Sequence, residues 1–238
     1  MTYQNAEQVQ TSERRQYHIA AAPGEVASYM LLVGDPERAE QVASRFSSQR
    51  FRAAHREYVI ITGEERGLDL SVVCVGMGAG SMEIASLGYV EPGYPALAHA
   101  ETQIALVRAA EERNVPYHVG VTATAAGFYG AQERDVPGFH PRDAGLLDRL
   151  SRQGVKNLEM EASCLLTLAT LRGFRAGCVC AVFASRPRNQ FVDEKGKVEA
   201  ERRVIDVGLD ALHHLARMER EAQGRVHWHD GQVASKSD

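Results

Sequence analysis

Hydrophobic and polar positions follow two different spacings along the chain, and together they predict an α/β protein. Short apolar runs bounded by turn residues predict strands at Tyr29–Val33, Phe51–Thr62, Leu68–Val75 and Tyr117–Ala125. A longer apolar run, Phe174–Ser185, has the pattern of a central strand covered on both faces. Apolar residues at helical spacing predict helices at 36–46, 99–113, 143–153, 159–172 and 198–222.

Length and charge narrow the class of protein. The 238 residues suit one large domain or two small ones, and the net charge of −4 gives no basic surface for nucleic acid. The chain has no run long enough to cross a membrane, and its polar N-terminus lacks the apolar region of a signal peptide. We therefore expect a cytoplasmic protein without nucleic-acid or membrane partners. We expect one domain at 17–221, with flexible tails at 1–16 and 222–238.

The segment VGDPERAEQ joins the first predicted strand to the first predicted helix. Gly34 ends the strand, and Asp35 and Pro36 are suited to the N-cap and the first helical position. Backbone N–H groups at such a helix start attract anions, and Arg38 adds a positive charge one turn later. The segment predicts either a phosphate site or an ordinary turn with a surface arginine.

The segment GFYGAQERD carries side chains suited to a planar polar ligand. Phe128 offers a ring for stacking, Gln132 offers a donor and an acceptor, and Arg134 offers a fork of donors. A solvated loop would carry the same residues.

The segment NLEMEAS places Glu159 and Glu161 on either side of Met160, at the start of an apolar helix. The two carboxylates either stabilise the helix dipole or bind hydroxyl groups of a ligand.

The order of the motifs resembles that of uridine phosphorylases, in the hexameric nucleoside phosphorylase superfamily. The matching segments are VGDPERAEQVASRF, AHREY, GVTATAAGFYGAQER, NLEMEAS and RAGCVCAVFASR, and the likeness extends from about Tyr17 to Met218. The resemblance implies a single α/β domain with a central mixed β-sheet flanked by helices on both faces. It also implies salvage of uridine, or a related pyrimidine nucleoside, by phosphorolysis to the free base and ribose 1-phosphate. Phosphate is then the co-substrate and no cofactor is required.

The resemblance assigns roles to individual residues. It implies catalytic roles for Arg134, which would stabilise negative charge on the leaving base, and for Glu161, which would stabilise positive charge on the sugar. The binding residues it implies are Gly34, Arg38 and Arg56 for phosphate, His18, Met160 and Glu161 for ribose, and Phe128, Gln132 and Arg134 for the base. His18 and Arg56 would come from a neighbouring subunit, which requires at least a dimer and implies a hexamer. Glu57, Met77 and Ser81 would hold potassium between subunits.

Two alternative functions stay open at this point. Purine-specific relatives carry an aspartate where this chain has Arg186, which favours a pyrimidine base over a purine nucleoside phosphorylase. The other alternative is a catalytically impaired relative that binds a nucleoside without turning it over. The spacing of Gly76, Gly78 and Gly80 does not fit the dinucleotide-binding fingerprint of a dehydrogenase.

One segment departs from the family pattern. About forty family residues are absent between Ala85 and Ser86, including a second phosphate-binding arginine and strands from the middle of the sheet. If the polypeptide is this short, we expect poor folding or an inactive protein. Alternatively, the sequence omits a segment of the natural gene product, which the intact motifs on both sides favour. An intact-mass measurement near 26.1 kDa would exclude the second explanation.

Overall fold

The computed structural model describes residues 13, 15–16, 18–78, 90, 94–222 and 228, and confirms the α/β class. The strands are β1 Tyr29–Val33, β2 Ser48–His55, β3 Tyr58–Glu65, β4 Leu68–Cys74, β5 Val121–Thr124, β6 Val155–Glu159, β7 Ala184–Ser185 and β8 Gln190–Phe191. The helices are α1 Pro36–Ala43, α2 Ala100–Glu112, α3 Leu146–Arg152, α4 Ala162–Arg172 and α5 Glu194–Ala222. Among the described residues, no helix is both long and apolar enough to span a membrane.

The largest sheet is mixed, as expected, and has the order β1-β4-β3-β2. β1 runs parallel to β4, whereas β4, β3 and β2 are successive antiparallel neighbours. The predicted strand Phe51–Thr62 is in fact divided between β2 and β3 by a turn at Arg56 and Glu57, where Arg56 adopts a positive φ of 56°. The sequence pattern missed this turn because apolar residues continue on both sides of it.

The core lies mainly between this sheet and the helices. On one face, Ile61 and Val72 pack with Val42 of α1 and Leu209 of α5. The long helix α5 also packs along α2, where Met218 is fully buried. The helix that the sequence predicts from 198 starts at Glu194 and ends at Ala222.

The second part of the sheet differs from the prediction. β5 and β6 form a separate parallel pair, and β6 was not predicted because its sequence VKNLE does not alternate between apolar and polar residues. The expected central strand Phe174–Ser185 is wrong except at Ala184–Ser185, which pairs with β8. Residues 174–183 have no regular secondary structure, because among the described residues no strand lies beside them to form a ladder. Phe174 and Val182 are consequently 68% and 63% exposed.

Candidate active site

A cleft of about 1520 Å³ lies between the end of β1 and the segment that contains β6 and α4. Its walls include Gly34 and Arg38, Met160 and Glu161, and the loop that carries Phe128, Gln132 and Arg134. Three of the sequence motifs therefore meet around one space, although they are far apart along the chain.

The first end of the cleft is the turn from β1 into α1. Asp35 caps the helix, since its carboxylate accepts a hydrogen bond of 2.8 Å from the backbone N–H of Arg38. Gly34 lies beside the Gly76–Gly78 turn, in which both glycines have a positive φ that favours glycine. Gly34 and Arg38 both line the cleft, so the positive end of the α1 dipole lies beside it, which is favourable for an anion.

Arg38 is held in place by two carboxylates. Its guanidinium donates to Glu201 of α5 at 2.7 Å and forms an ion pair with Asp35 at 3.3 Å. Its Nε is buried, and no hydrogen-bond partner for it occurs in the part of the chain that the structure describes. Arg38 can therefore offer an unused donor to an anion at this end of the cleft.

The two glutamates of NLEMEAS have different surroundings. Glu159 accepts hydrogen bonds from Thr124 and from the backbone N–H groups of Glu161 and Ala162, at 2.6 and 2.5 Å for the latter two. It therefore stabilises the start of α4. Glu161, which lines the cleft as Glu159 also does, accepts from the backbone N–H of Gly78. The sequence left two interpretations open for these carboxylates. Glu159 fits the first, stabilisation of the helix start, and Glu161 fits the second, binding of hydroxyl groups of a ligand.

The loop around Phe128 forms the other end of the cleft. The Arg134 guanidinium lies over the Phe128 ring, 3.7 Å from its centroid, and donates to the side-chain oxygen of Gln132 at 2.7 Å. Gln132 is buried, whereas Phe128 is 45% exposed. Burial, followed by the nearby charge of Arg186, lowers the pKa of Arg134. An aromatic ring, an amide and a cation are thus grouped where a planar polar ligand could stack.

Two residues that the motif analysis did not assign to the site hold this loop in place. Arg186 donates to the backbone carbonyl oxygens of Gln132 and Glu133 at 2.8 and 3.0 Å. The Glu133 carboxylate accepts from the backbone N–H groups of Gly145 and Leu147, each at 2.7 Å. These backbone hydrogen bonds keep the pKa of Glu133 below its usual value. The sequence signalled Arg186 only as a marker of base preference and gave no signal for Glu133.

Three of the remaining predicted residues lie away from the cleft. His18 is exposed, and Arg56 and Glu57 are exposed in the β2–β3 turn; none of the three lines the cleft. Met77 does line it, and Ser81 is outside the described residues. The described part of one protomer therefore does not gather the predicted potassium ligands, and a contribution of His18 and Arg56 to a neighbour's cleft stays a prediction.

Comparison with known proteins identifies relatives that align over most of the chain. The sequence profile described as "Phosphorylase superfamily" matches residues 83–217. The uridine phosphorylase of Thermococcus kodakarensis is 39% identical over 95% of this chain and 97% of its own length. The uridine phosphorylase of Escherichia coli is 27% identical over 79% and 92%. A Trypanosoma brucei nucleoside phosphorylase structure, described as showing uridine phosphorylase activity, has a TM-score of 0.79 at 20% identity, covering 86% of this chain and 99% of that one.

The relatives are longer than this chain within the matched region. The alignment with the Thermococcus protein extends over 273 residues, more than the 238 of the entire chain. It must therefore include residues of the relative that have no counterpart here. This agrees with the absence of family residues expected from the sequence, while the predicted position of the gap lies in a part of the chain that the structure does not describe.

Proposed function

Because the chain belongs to the Phosphorylase superfamily, we propose that it is a pentosyltransferase that cleaves uridine with inorganic phosphate, releasing uracil and ribose 1-phosphate. The observation that carries this proposal is the single cleft lined by Arg38, Glu161 and Arg134. These side chains match the three things that the reaction needs: an anion site, a group that binds the sugar, and donors facing the base.

The chemistry assigns one task to each part of the cleft. A phosphate oxygen bound near Gly34 and Arg38 attacks C1′ of the ribose, and the bond from C1′ to N1 of uracil breaks. The bonding electrons leave with the base, where Arg134 and Gln132 stabilise the negative charge by hydrogen bonding. Glu161 binds the ribose hydroxyls and, with phosphate, stabilises the positive charge that develops at C1′. Met160 contacts the sugar, and Phe128 stacks on the base.

A phosphorolysis assay on protein of verified mass tests the proposal. We expect uracil to be released from uridine only when phosphate is present, and release from thymidine and inosine to be slower. Inosine turnover above uridine turnover would instead indicate a purine nucleoside phosphorylase. Uridine binding by calorimetry without turnover would indicate a binding protein. If the folded protein showed no binding and no turnover of uridine, the proposal would be overturned.

The assembly that we propose is a homo-oligomer, a hexamer built from dimers, acting in the cytoplasm. His18 and Arg56 would then complete the ribose and phosphate sites of a neighbouring subunit, with potassium between subunits at Glu57, Met77 and Ser81. Mixing His18→Ala and Glu161→Ala subunits, after dissociation and reassembly, should restore part of the activity. Mixtures no more active than the separate variants, despite verified subunit exchange, would contradict shared sites.

A further inference from the structure

Two cysteines of the irregular segment 174–183 lie side by side on the wall of the cleft. Cys178 and Cys180 are both exposed and both line the cleft, and their sulfur atoms are 3.5 Å apart. The other two cysteines of the chain, Cys74 and Cys164, are fully buried. Buried thiols are inert, whereas accessible thiols can react. Cys178 and Cys180 therefore form an accessible dithiol.

The two thiols of this pair differ in how readily they ionise. The hydrogen bond between the sulfurs raises the pKa of Cys178 and lowers the pKa of Cys180, because the Cys178 S–H stabilises a thiolate at Cys180. The side chain of Asn157 in β6 also hydrogen-bonds Cys180 and lowers its pKa. Desolvation and the charges of Glu159 and Glu161 oppose this by raising the pKa of both thiols. Cys180 is therefore the better nucleophile of the pair, and Cys178 is its hydrogen-bond donor.

The backbone between the two cysteines can follow the sulfurs towards each other. A disulfide bond is about 2.05 Å long, so the sulfurs must approach by about 1.5 Å. Ladder hydrogen bonds would oppose this movement in a strand. Residues 174–183, however, have no regular secondary structure, and no described strand pairs with residues 177–182. The segment is fixed on either side instead, where the carbonyl oxygens of Ala176 and Phe183 accept backbone hydrogen bonds of 2.9 Å each.

We propose that Cys178 and Cys180 are a thiol–disulfide exchange site for a low-molecular-weight disulfide, R–S–S–R, that enters the cleft. The Cys180 thiolate attacks one sulfur of the reagent, which forms a mixed disulfide on Cys180 and releases R–S⁻. The Cys178 thiol then loses its proton and attacks the Cys180 sulfur, so that the internal disulfide forms and a second R–S⁻ leaves. The two cysteine sulfurs lose two electrons to the reagent, and the protons of the two thiols pass to the two thiolates released. This inference does not depend on the proposed reaction.

The test uses the full chain, reduced and then freed of reductant, in buffers with a fixed ratio of glutathione disulfide to glutathione. After acid quenching and alkylation of the free thiols, mass spectrometry of the tryptic peptide 176–188 separates the dithiol, the mixed disulfide and the internal disulfide. The folded protein should form the internal disulfide with an equilibrium constant at least about tenfold above that of the synthetic peptide 176–188, because the fold holds the sulfurs together. Equal constants would overturn the proposal, since the sequence Cys-Val-Cys would then react in the same way without the fold.

Variants of each cysteine test the order of the two steps. Cys178→Ser keeps the attacking thiolate but removes the second thiol, so the mixed disulfide with glutathione should accumulate on Cys180. Cys180→Ser should react with glutathione disulfide at least about tenfold more slowly, because Cys178 lacks the hydrogen bonds that lower the pKa of Cys180. Cys164→Ala is the control, because this thiol is buried, and it should form the internal disulfide as the unmodified sequence does.

Three results would contradict the site or the order of its steps. Equal rates for Cys178→Ser and Cys180→Ser would show that Cys180 is not the attacking thiol. Loss of the internal disulfide in Cys164→Ala, in protein that is folded by circular dichroism, would show that the buried thiol takes part. Glutathione attached to Cys74 as rapidly as to Cys180 would show that the cleft gives no selectivity.

Discussion

The two sides of the cleft differ in how completely they are packed. On the side of the mixed sheet, Ile61, Leu70 and Val72 are fully buried, and even the buried hydroxyls of Thr62 and Ser71 lie 2.7 Å apart in a hydrogen bond. On the side of β5, β6 and residues 174–183, apolar residues such as Val119, Val121 and Val182 are about 60% exposed or more. We call the mixed-sheet side the closed region, because its core is buried, and the side of β5, β6 and residues 174–183 the open region, because its apolar residues are exposed.

This difference separates the requirements for folding from those for the site. In the closed region, β2, β3 and β4 pair through hairpins, and α1 and α5 cover one face of the sheet. In the open region, the loop with Gln132 and Arg134 is held instead by polar contacts to Arg186 and to the start of α3. We therefore expect stability to depend on the first region and ligand binding on the second.

The largest expected effect is on stability, from a substitution in the closed region. Leu70 of β4 is fully buried, and Leu70→Ala would leave a cavity. We expect the free energy of unfolding to fall by about 2–5 kcal/mol, measured by urea denaturation monitored by circular dichroism. A loss below about 1 kcal/mol would show that this core is no better packed than the open region.

The next effect is on catalysis, from a substitution in the open region. Arg134→Ala removes the cation that we propose to face the base, and we expect kcat to fall by about 10²–10³-fold, with little change in the denaturation midpoint. Arg188→Ala is the control, because Arg188 is exposed nearby and does not line the cleft. A similar loss of activity in both variants would contradict the role assigned to Arg134.

A smaller effect is expected where the loop is anchored. Glu133→Gln keeps the side-chain shape but replaces a charged acceptor of two backbone N–H groups with a neutral amide. We expect KM for uridine to rise about tenfold, with kcat changed much less because Glu133 does not line the cleft. Asp148→Asn on the exposed face of α3 serves as the control, and Glu133→Asp should recover part of the affinity.

The hydrogen bonds from Gly145 and Leu147 to Glu133, which anchor the loop, also predict that the affinity for uridine depends on pH. The lowered pKa of Glu133 means that the folded loop favours the carboxylate, so the anchor is complete above the usual pKa of 4.5. It weakens as the pH falls below 4.5 and is lost as the pH passes through the lower pKa of the folded state. Arg186 lowers this pKa further, whereas Asp143 opposes it. Calorimetric affinity for uridine should decline on acidification, and a profile unchanged by Glu133→Gln would exclude Glu133 as the cause.

The smallest effect is expected at an exposed apolar residue of the open region. Val182 is 63% exposed, so Val182→Thr should change the free energy of unfolding by no more than about 0.5 kcal/mol. Urea denaturation beside Leu70→Ala gives the direct comparison. A loss comparable to that of Leu70→Ala would mean that residues 174–183 are covered in solution.

The sequence predicted local features better than those that depend on distant partners. The Asp35–Pro36 helix start and the amphipathic pattern of α5 are local, and the structure has both. The strand at Phe174–Ser185 failed because a strand needs a neighbour, which periodicity cannot supply. Arg38, Glu161 and Arg134 line one cleft as their motifs suggested, but the anchoring by Glu133 depends on the position of α3 and has no sequence signature.

The hydrogen bond between Glu161 and the N–H of Gly78 has a consequence for how a sugar would bind. The bond engages Oε1 alone, and both oxygens of a carboxylate accept hydrogen bonds, so a ribose hydroxyl can bind the side chain without displacing the backbone N–H. The bond to Gly78 holds the carboxylate in one orientation before a sugar arrives. Less side-chain freedom would then be lost on binding, so this backbone amide would favour affinity by positioning the acceptor in advance.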